Sequence, residues 1–385
     1  MDPELRKMHM KICVFGAGAI GGFLGAKLAQ SGAQVSLVAR GANLAAIRAN
    51  GLTLRADGKE TVVRLPATDN PAELGPQDAV IVTLKANQID GALDRFAPLL
   101  GPETAIVTAV NGIPYWYFHR HDGPWADRSI ASVDPGRRQW NLLGPGRAIG
   151  CVVYPATELV APGVVEHVYG DRFPIGEPSG EISARCERLA AVFAASGLKA
   201  PVLDRIRDEI WLKLWGNLCL NPLSALTGTT LDVLCSEPGT RDIARAMMRE
   251  AQAIAEWLGV RFRVDLERRL DGACKVGAHK TSMLQDLERG RPLEIDALVT
   301  AVQELGRLVQ VPTPTLDVVL ALIQHRAEAL QLYERPVADD LIVVDAVAPV
   351  ITQEDDLRRT VAFDRTAFPG KRDAVGSMQS CALVQ

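Results

Sequence analysis

Cysteine is scarce and unpatterned in this chain: seven in 385 residues, with no C-x-x-C pair. That argues against a disulfide scaffold or a zinc site and for a reducing compartment. His119, His121 and His167 stand in no metal-ligand spacing with an acid partner, so no metal site is expected. No segment reaches the ~18 apolar residues of a membrane span. The opening MDPELRKMHMKICVFGAG has too short an apolar run for a secretory signal. An excess of one charge is missing too. The net charge is −4 and the pI about 5.9, which leaves no footprint for nucleic acid or an anionic membrane. What remains is 48% hydrophobic and long enough for two domains. The expectation is a cytoplasmic protein acting on a small molecule.

MKICVFGAGAIGGFLGAKLAQSG reads as a buried strand, a glycine turn and a helix running to about Gln30. Its turn, Gly16-Ala17-Gly18-Ala19-Ile20-Gly21, fits G-x-G-x-x-G. Gly16 allows the tight turn, Gly18 lets backbone approach a pyrophosphate, and Gly21 lets helix and strand pack closely. The N–H groups at the helix start suit phosphates. The second strand, Gln34 to Ala39, ends at Arg40, where an NAD site usually carries an acid. A guanidinium suits a 2′-phosphate, which favours NADP (NADPH); the plain alternative is a solvated arginine. Two further strands end at Lys85 and at Asn111-Gly112. Ligands of open parallel sheets bind beyond the carboxyl ends of strands. Lys85 and Asn111 are therefore candidate cofactor or substrate contacts, against a solvated strand end and an ordinary turn. Segments 148–155, 163–168 and RFPIGEP read as strands extending this sheet, and Ser183 to Ala195 as a helix.

From Asp204 the hydrophobic period becomes helical, and no strand signal interrupts it. The fold class expected is α/β: a Rossmann-type doubly wound sheet over 10–200, then an all-helical domain over 204–332, then a C-terminal extension, 333–385, of unassigned role. In WLKLWGNLCLNP, positions four apart differ by about 40° on a helix, so Lys213, Asn217 and Asn221 form one polar stripe between Trp, Leu and Cys. Asn221-Pro222 is expected to end that helix. Ser282 or Thr281 opens another helix and could be its N-cap. Glu294 is expected in the first turn of a long apolar helix, where a carboxylate also complements the dipole.

These motifs, in this order, resemble the ketopantoate reductases (2-dehydropantoate 2-reductases). The resemblance rests on GAGAIG with a following Arg, TLKA, the NG after the fourth strand, W-x-K-x-x-x-N-x-x-x-N-P, and SMLQD with E-I-D twelve residues on. It covers roughly Met10 to Leu330. It implies NADPH-dependent reduction of ketopantoate to (R)-pantoate, in pantothenate and coenzyme A biosynthesis, at a cleft between the two domains. Carried over residue by residue, it makes Lys213 the catalytic lysine and Glu294 the acid holding the substrate hydroxyl. Asn217, Asn221 and Ser282 become substrate-positioning residues, Asn111 lies near nicotinamide and substrate, and Arg40 and Lys85 contact cofactor phosphates. The physics of the reaction agrees, since a cation aimed at a ketone oxygen stabilises the charge left by hydride delivery. The alternatives are a reductase of another 2-oxo acid or an imine on the same scaffold, and a non-catalytic NADP sensor. The long helices are compatible with a homodimer. The loop from Tyr115 to Gly150 is rich in aromatics and reads as a candidate lid, and LIVVDAVAPVI in the extension has no assigned role.

Overall fold

The computed structural model describes residues 10–336, which lie within one compact unit. The extension call, 333–385, therefore falls almost wholly outside the described residues. The main sheet has seven strands in the order β11-β8-β7-β6-β1-β2-β5. They are β1 (Lys11–Phe15), β2 (Gln34–Val38), β5 (Ala67–Thr68), β6 (Gln77–Val82), β7 (Leu100–Thr108), β8 (Ala148–Cys151) and β11 (Ile175–Gly176). All neighbours run parallel except β11, which is antiparallel to β8. Val14 sits in register between Leu37 and Ile81. These strands are near-continuous apolar runs because both sheet faces are covered. One face carries α1 (Ala19–Gln30) and α5 (Ala184–Ala195, capped by Ser183). On the other, Phe15 stacks on Phe96 with ring centroids 4.1 Å apart.

The segments after β8 do not all extend this sheet as expected. β9 (Ala156–Ala161) and β10 (Val164–Tyr169) join β3 (Leu52–Ala56) and β4 (Lys59–Val63) in a separate sheet of order β4-β3-β10-β9. The reason lies in α1, which is buried on two sides. Gly25 faces Leu37 of the main sheet, and Gly22 faces Val165 of β10, whose Cγ2 would be 2.6 Å from an added Cβ. A helix this rich in glycine and alanine leaves room for a second layer.

The loop read as a lid is core instead. Trp116, Tyr117 and Phe118 are fully buried, and Trp125 nearly so. Trp116 donates to Thr108 Oγ1 at 2.9 Å. The Glu304 carboxylate accepts from the Ala131 and Ser132 amides and the Ser132 hydroxyl at 2.7–2.9 Å. Aromatic burial fixes this segment in place; it does not supply a solvent-exposed flap.

Helices fill the rest of the described chain. The central one is α6 (Ile206–Thr227), packed by α8 (Pro238–Trp257), α10 (Ser282–Glu288) and α12 (Pro314–Ala329). Short α7 (Leu231–Ser236), α9 (Leu266–Cys274) and α11 (Ala301–Leu308) complete the set. Trp211 and Trp215 anchor α6, their indole N–H groups donating at 2.7 Å to Tyr117 Oη and the Met248 carbonyl. α6 does not stop at Asn221-Pro222 but runs five residues past the proline, to Thr227, and is capped by Gly228 in the left-handed region. Proline costs one backbone hydrogen bond and some strain, about 3 kcal/mol. Residues Leu218 through Ala225 are all buried, and that packing offsets the loss.

Candidate active site

Backbone geometry builds the sheet side of the site. Gly16 has φ +110°, which favours glycine. A Cβ on Gly21 would stand 1.7 Å from the Gly16 carbonyl oxygen, so no side chain fits there. The loop carbonyls are held from behind: Thr83 Oγ1 donates to Gly16 O at 2.6 Å, and Asn43 Nδ2 to Ala17 O at 2.5 Å. Asn43 Oδ1 in turn accepts from Gly163 N at 2.6 Å. Neither Asn43 nor Thr83 belongs to a motif that marks it as a clamp; the only signal in the sequence is an asparagine three residues after Arg40. α1 opens at Ala19, just past Gly18, so its first N–H groups have no intrahelical acceptor and can take phosphate oxygens. Arg40 precedes α2 (Gly41–Asn50), is exposed, and has no side-chain hydrogen bond or ion pair among the described residues.

Side chains build the opposite wall. Lys213 Nζ donates to Asn111 Oδ1 at 2.7 Å and to the Val153 carbonyl. Its ammonium lies 5.9 Å from the Tyr154 ring centroid. Burial lowers the lysine pKa to about 8, with Cys151 and Glu294 opposing the shift. Asn111 belongs to a turn docked on the helical half, where Ile113 N donates to Ala297 O at 2.9 Å. Gly112 has φ +91°, and a Cβ there would meet Ala297 O at 2.3 Å. Asn217 is half-buried on the same stripe. Asn221 is 5% exposed, and its Nδ2 has no hydrogen-bond partner. A buried amide donor left unpaired is costly unless something supplies the acceptor. Thr281 is the N-cap of α10, its hydroxyl accepting from Leu284 N, so Ser282 is free of capping and exposed.

Glu294 is not in the first turn of an ordinary helix. It stands two residues before a π-helical turn, Asp296–Thr300, that leads into α11. Such turns recur at functional sites. Its Oε1 accepts from Ala86 N at 2.9 Å. Burial raises its pKa, against the Ala86 amide, Lys85 and Lys213. Lys85 points across the cleft: its Nζ is 2.5 Å from Asp286 Oδ2 and reaches Pro292 O at 3.4 Å. The structure thus commits this ammonium to Asp286, a partner that strand position alone did not reveal. Asp296 Oδ1 accepts from Tyr333 Oη at 2.7 Å and Thr300 Oγ1 at 2.8 Å, while Leu293 N donates to Leu332 O at 2.9 Å. Glu294 is thereby bracketed by bonds from the end of the described chain.

One cleft of ≈1490 Å³ gathers Gly16, Ala17, Gly18, Ala19, Ile20, Arg40, Lys85, Asn111, Lys213, Asn217, Asn221, Ser282 and Glu294. Gly21 lies beneath the loop instead of lining it, as its packing role requires. Among the described residues no helix is long and apolar enough to cross a membrane.

Residues 12–180 match the family model for ketopantoate reductase PanE/ApbA, and residues 205–327 match that for the ketopantoate reductase PanE/ApbA C-terminal region. A 2-dehydropantoate 2-reductase from Mesorhizobium japonicum is 59% identical over 319 residues, 83% of this chain and 98% of the relative. A solved structure from Ralstonia solanacearum superposes with TM-score 0.81 at 41% identity, over 84% of this chain and 99% of that one. A PanE/ApbA family ketopantoate reductase from Ralstonia eutropha gives TM-score 0.73 at 28% identity, over 84% and 100%.

Proposed function

This chain belongs to the ketopantoate reductase family, and we propose that it reduces 2-dehydropantoate to pantoate with NADPH, using Lys213 as general acid. The observation that carries the reading is the placement of Lys213: a lysine of lowered pKa, fixed by Asn111, on one cleft with Glu294 and the glycine loop.

The residues present fit a dinucleotide. The Gly16–Gly21 loop and the start of α1 would hold its pyrophosphate, and the unpartnered Arg40 would take a 2′-phosphate, which supports NADP over NAD. The nicotinamide, when bound, supplies the hydride. The protein supplies the rest. The Lys213 ammonium faces the negative charge that develops on the ketone oxygen and donates the proton that completes the alcohol. A pKa near 8 keeps it protonated at neutral pH yet ready to give the proton up. Glu294 accepts a hydrogen bond from the distal hydroxyl, which its raised pKa makes a short, strong one when the carboxylate is charged. Asn217, Asn221 and Ser282 orient the substrate without adding charge, and the orphaned Asn221 Nδ2 gains an acceptor.

We assign the cofactor to residues 10–200 and the substrate groups largely to 204–332. The free thiols of Cys13, Cys151, Cys186, Cys219, Cys235 and Cys274 support a cytoplasmic setting. A homodimer is supported by exposed Val318 and Leu322, one turn apart on α12. The test is NADPH oxidation with ketopantoate beside pyruvate and 2-oxoisovalerate. Turnover on ketopantoate well above the other two is expected. Equal or better turnover on either competitor would reject the substrate.

A further inference from the structure

Arg269, on α9, is half-buried in the wall of the cleft. Its guanidinium rests on Gly216 of α6, where an added Cβ would stand 2.7 Å from Nη2 and 3.2 Å from Cζ. Gly216 lies about 60° around the helix from Lys213, so the guanidinium flanks the Lys213 stripe on the side away from Asn221. The absence of a side chain at Gly216 is what gives it that place.

Among the described residues Arg269 has no side-chain hydrogen bond and no ion pair. This is not for want of acids nearby. On the same helix Glu267 pairs with Arg241 and Arg245 of α8, and Asp271 pairs with Arg241. Other partly buried arginines are also satisfied: Arg185 by Glu177, Arg172 by Glu209, and Arg207 by the carbonyls of Tyr117, Pro178 and His119. A guanidinium withdrawn from water without an anion is unfavourable. Here the acids of α9 face outward to α8, while Arg269, in the cleft wall, keeps its fork free among the described residues. Elsewhere in the wall, Lys85 is neutralised by Asp286. Asn217, Asn221 and Ser282 carry no charge. The cleft lining includes Ala273, one turn from Arg269 on α9, and Leu220, one turn from Gly216 on α6. A free fork with aliphatic residues one turn away suits a branched aliphatic acid.

We propose that Arg269 binds the carboxylate of the 2-oxo acid substrate and thereby selects acids over neutral ketones. This rests on the reductase reading above, and deepens it by dividing the substrate between Lys213 at the ketone, Glu294 at the hydroxyl and Arg269 at the carboxylate.

The test compares ketopantoate with its uncharged methyl ester, using NADPH, in wild type, Arg269→Gln and Arg269→Lys. NADPH affinity is followed by fluorescence titration. The ratio of kcat/KM for acid over ester is expected to fall about tenfold to a hundredfold in Arg269→Gln, the loss expected for a charge-assisted pair. The change should sit mainly in KM for the acid. Arg269→Lys, which keeps the charge but not the fork, should fall between wild type and Arg269→Gln. It also carries the test if Arg269→Gln does not fold. An acid-to-ester ratio unchanged in these variants overturns the proposal, as does a loss of NADPH affinity with the ratio intact. A wild type that reduces neither compound removes the reading beneath it as well, which separates the two failures.

Discussion

The two walls of the cleft are made of different material. The sheet wall is backbone: a glycine loop, helix-start N–H groups, and carbonyls clamped by Thr83 and Asn43. The helical wall is side chain: Lys213, Asn217, Asn221, Ser282, Glu294 and Arg269. A backbone wall needs room, and its weak points are positions where any Cβ intrudes. A side-chain wall needs charge and desolvation, and its weak points are groups held out of water. Substitutions on the two sides should therefore fail in different ways.

The largest separation is expected from Lys213→Met. Loss of the general acid should lower kcat by about 10²–10⁴-fold while NADPH binding persists. The same change should raise thermal stability. A lysine whose folded pKa lies near 8, below its unfolded value, destabilises the fold fully below pH 8, and the cost disappears as pH rises toward 10.4. Removing it should stabilise the protein by about 1–3 kcal/mol at pH 7, read as a higher melting temperature that fades by pH 10. A variant that is inactive and also less stable would contradict the desolvation account.

Next, Gly21→Val should fail by exclusion. With 1.7 Å between its Cβ and the Gly16 oxygen, the loop must move, and dinucleotide affinity measured by titration should fall at least about a hundredfold, on the scale of several lost backbone contacts. An affinity near wild type would show that the loop is not the phosphate cradle. Arg40→Gln should be smaller and selective. NADPH affinity should drop about tenfold to a hundredfold with NADH affinity nearly constant, and an equal loss for both would remove the 2′-phosphate role. Smallest is Tyr333→Phe, which deletes one hydrogen bond to Asp296. It should raise KM for ketopantoate a few-fold through Glu294, with NADPH affinity unaltered, at about 1 kcal/mol.

The same division explains what could be read from the chain alone. The glycine loop was legible because backbone constraints leave glycine at fixed spacing. The Lys213–Asn217–Asn221 stripe was legible because helical periodicity turns spacing into direction. The cleft is lined by these residues together with Ser282 and Glu294. What escaped were facts of tertiary packing. A proline sits inside α6 because both flanks are buried, and local rules do not see burial. β9 and β10 form a second sheet because α1 is narrow enough to be covered twice. The aromatic loop is core because Glu304 meets it from a distant segment, while Trp116 bonds back to Thr108 at the end of β7. The partner of Lys85 and the lack of one for Arg269 are likewise long-range outcomes that no spacing encodes.

Everything on the helical wall turns on Lys213 as a desolvated acid poised for proton delivery. The pH dependence of kcat/KM for ketopantoate, from pH 5.5 to 10 at saturating NADPH, tests it most directly. The rate constant should fall tenfold per pH unit above about 8, as the ammonium loses its proton, and the residual rate in Lys213→Ala should lack that inflection. A profile that stays level to pH 10, or an inflection near 8 that survives in Lys213→Ala, would contradict it.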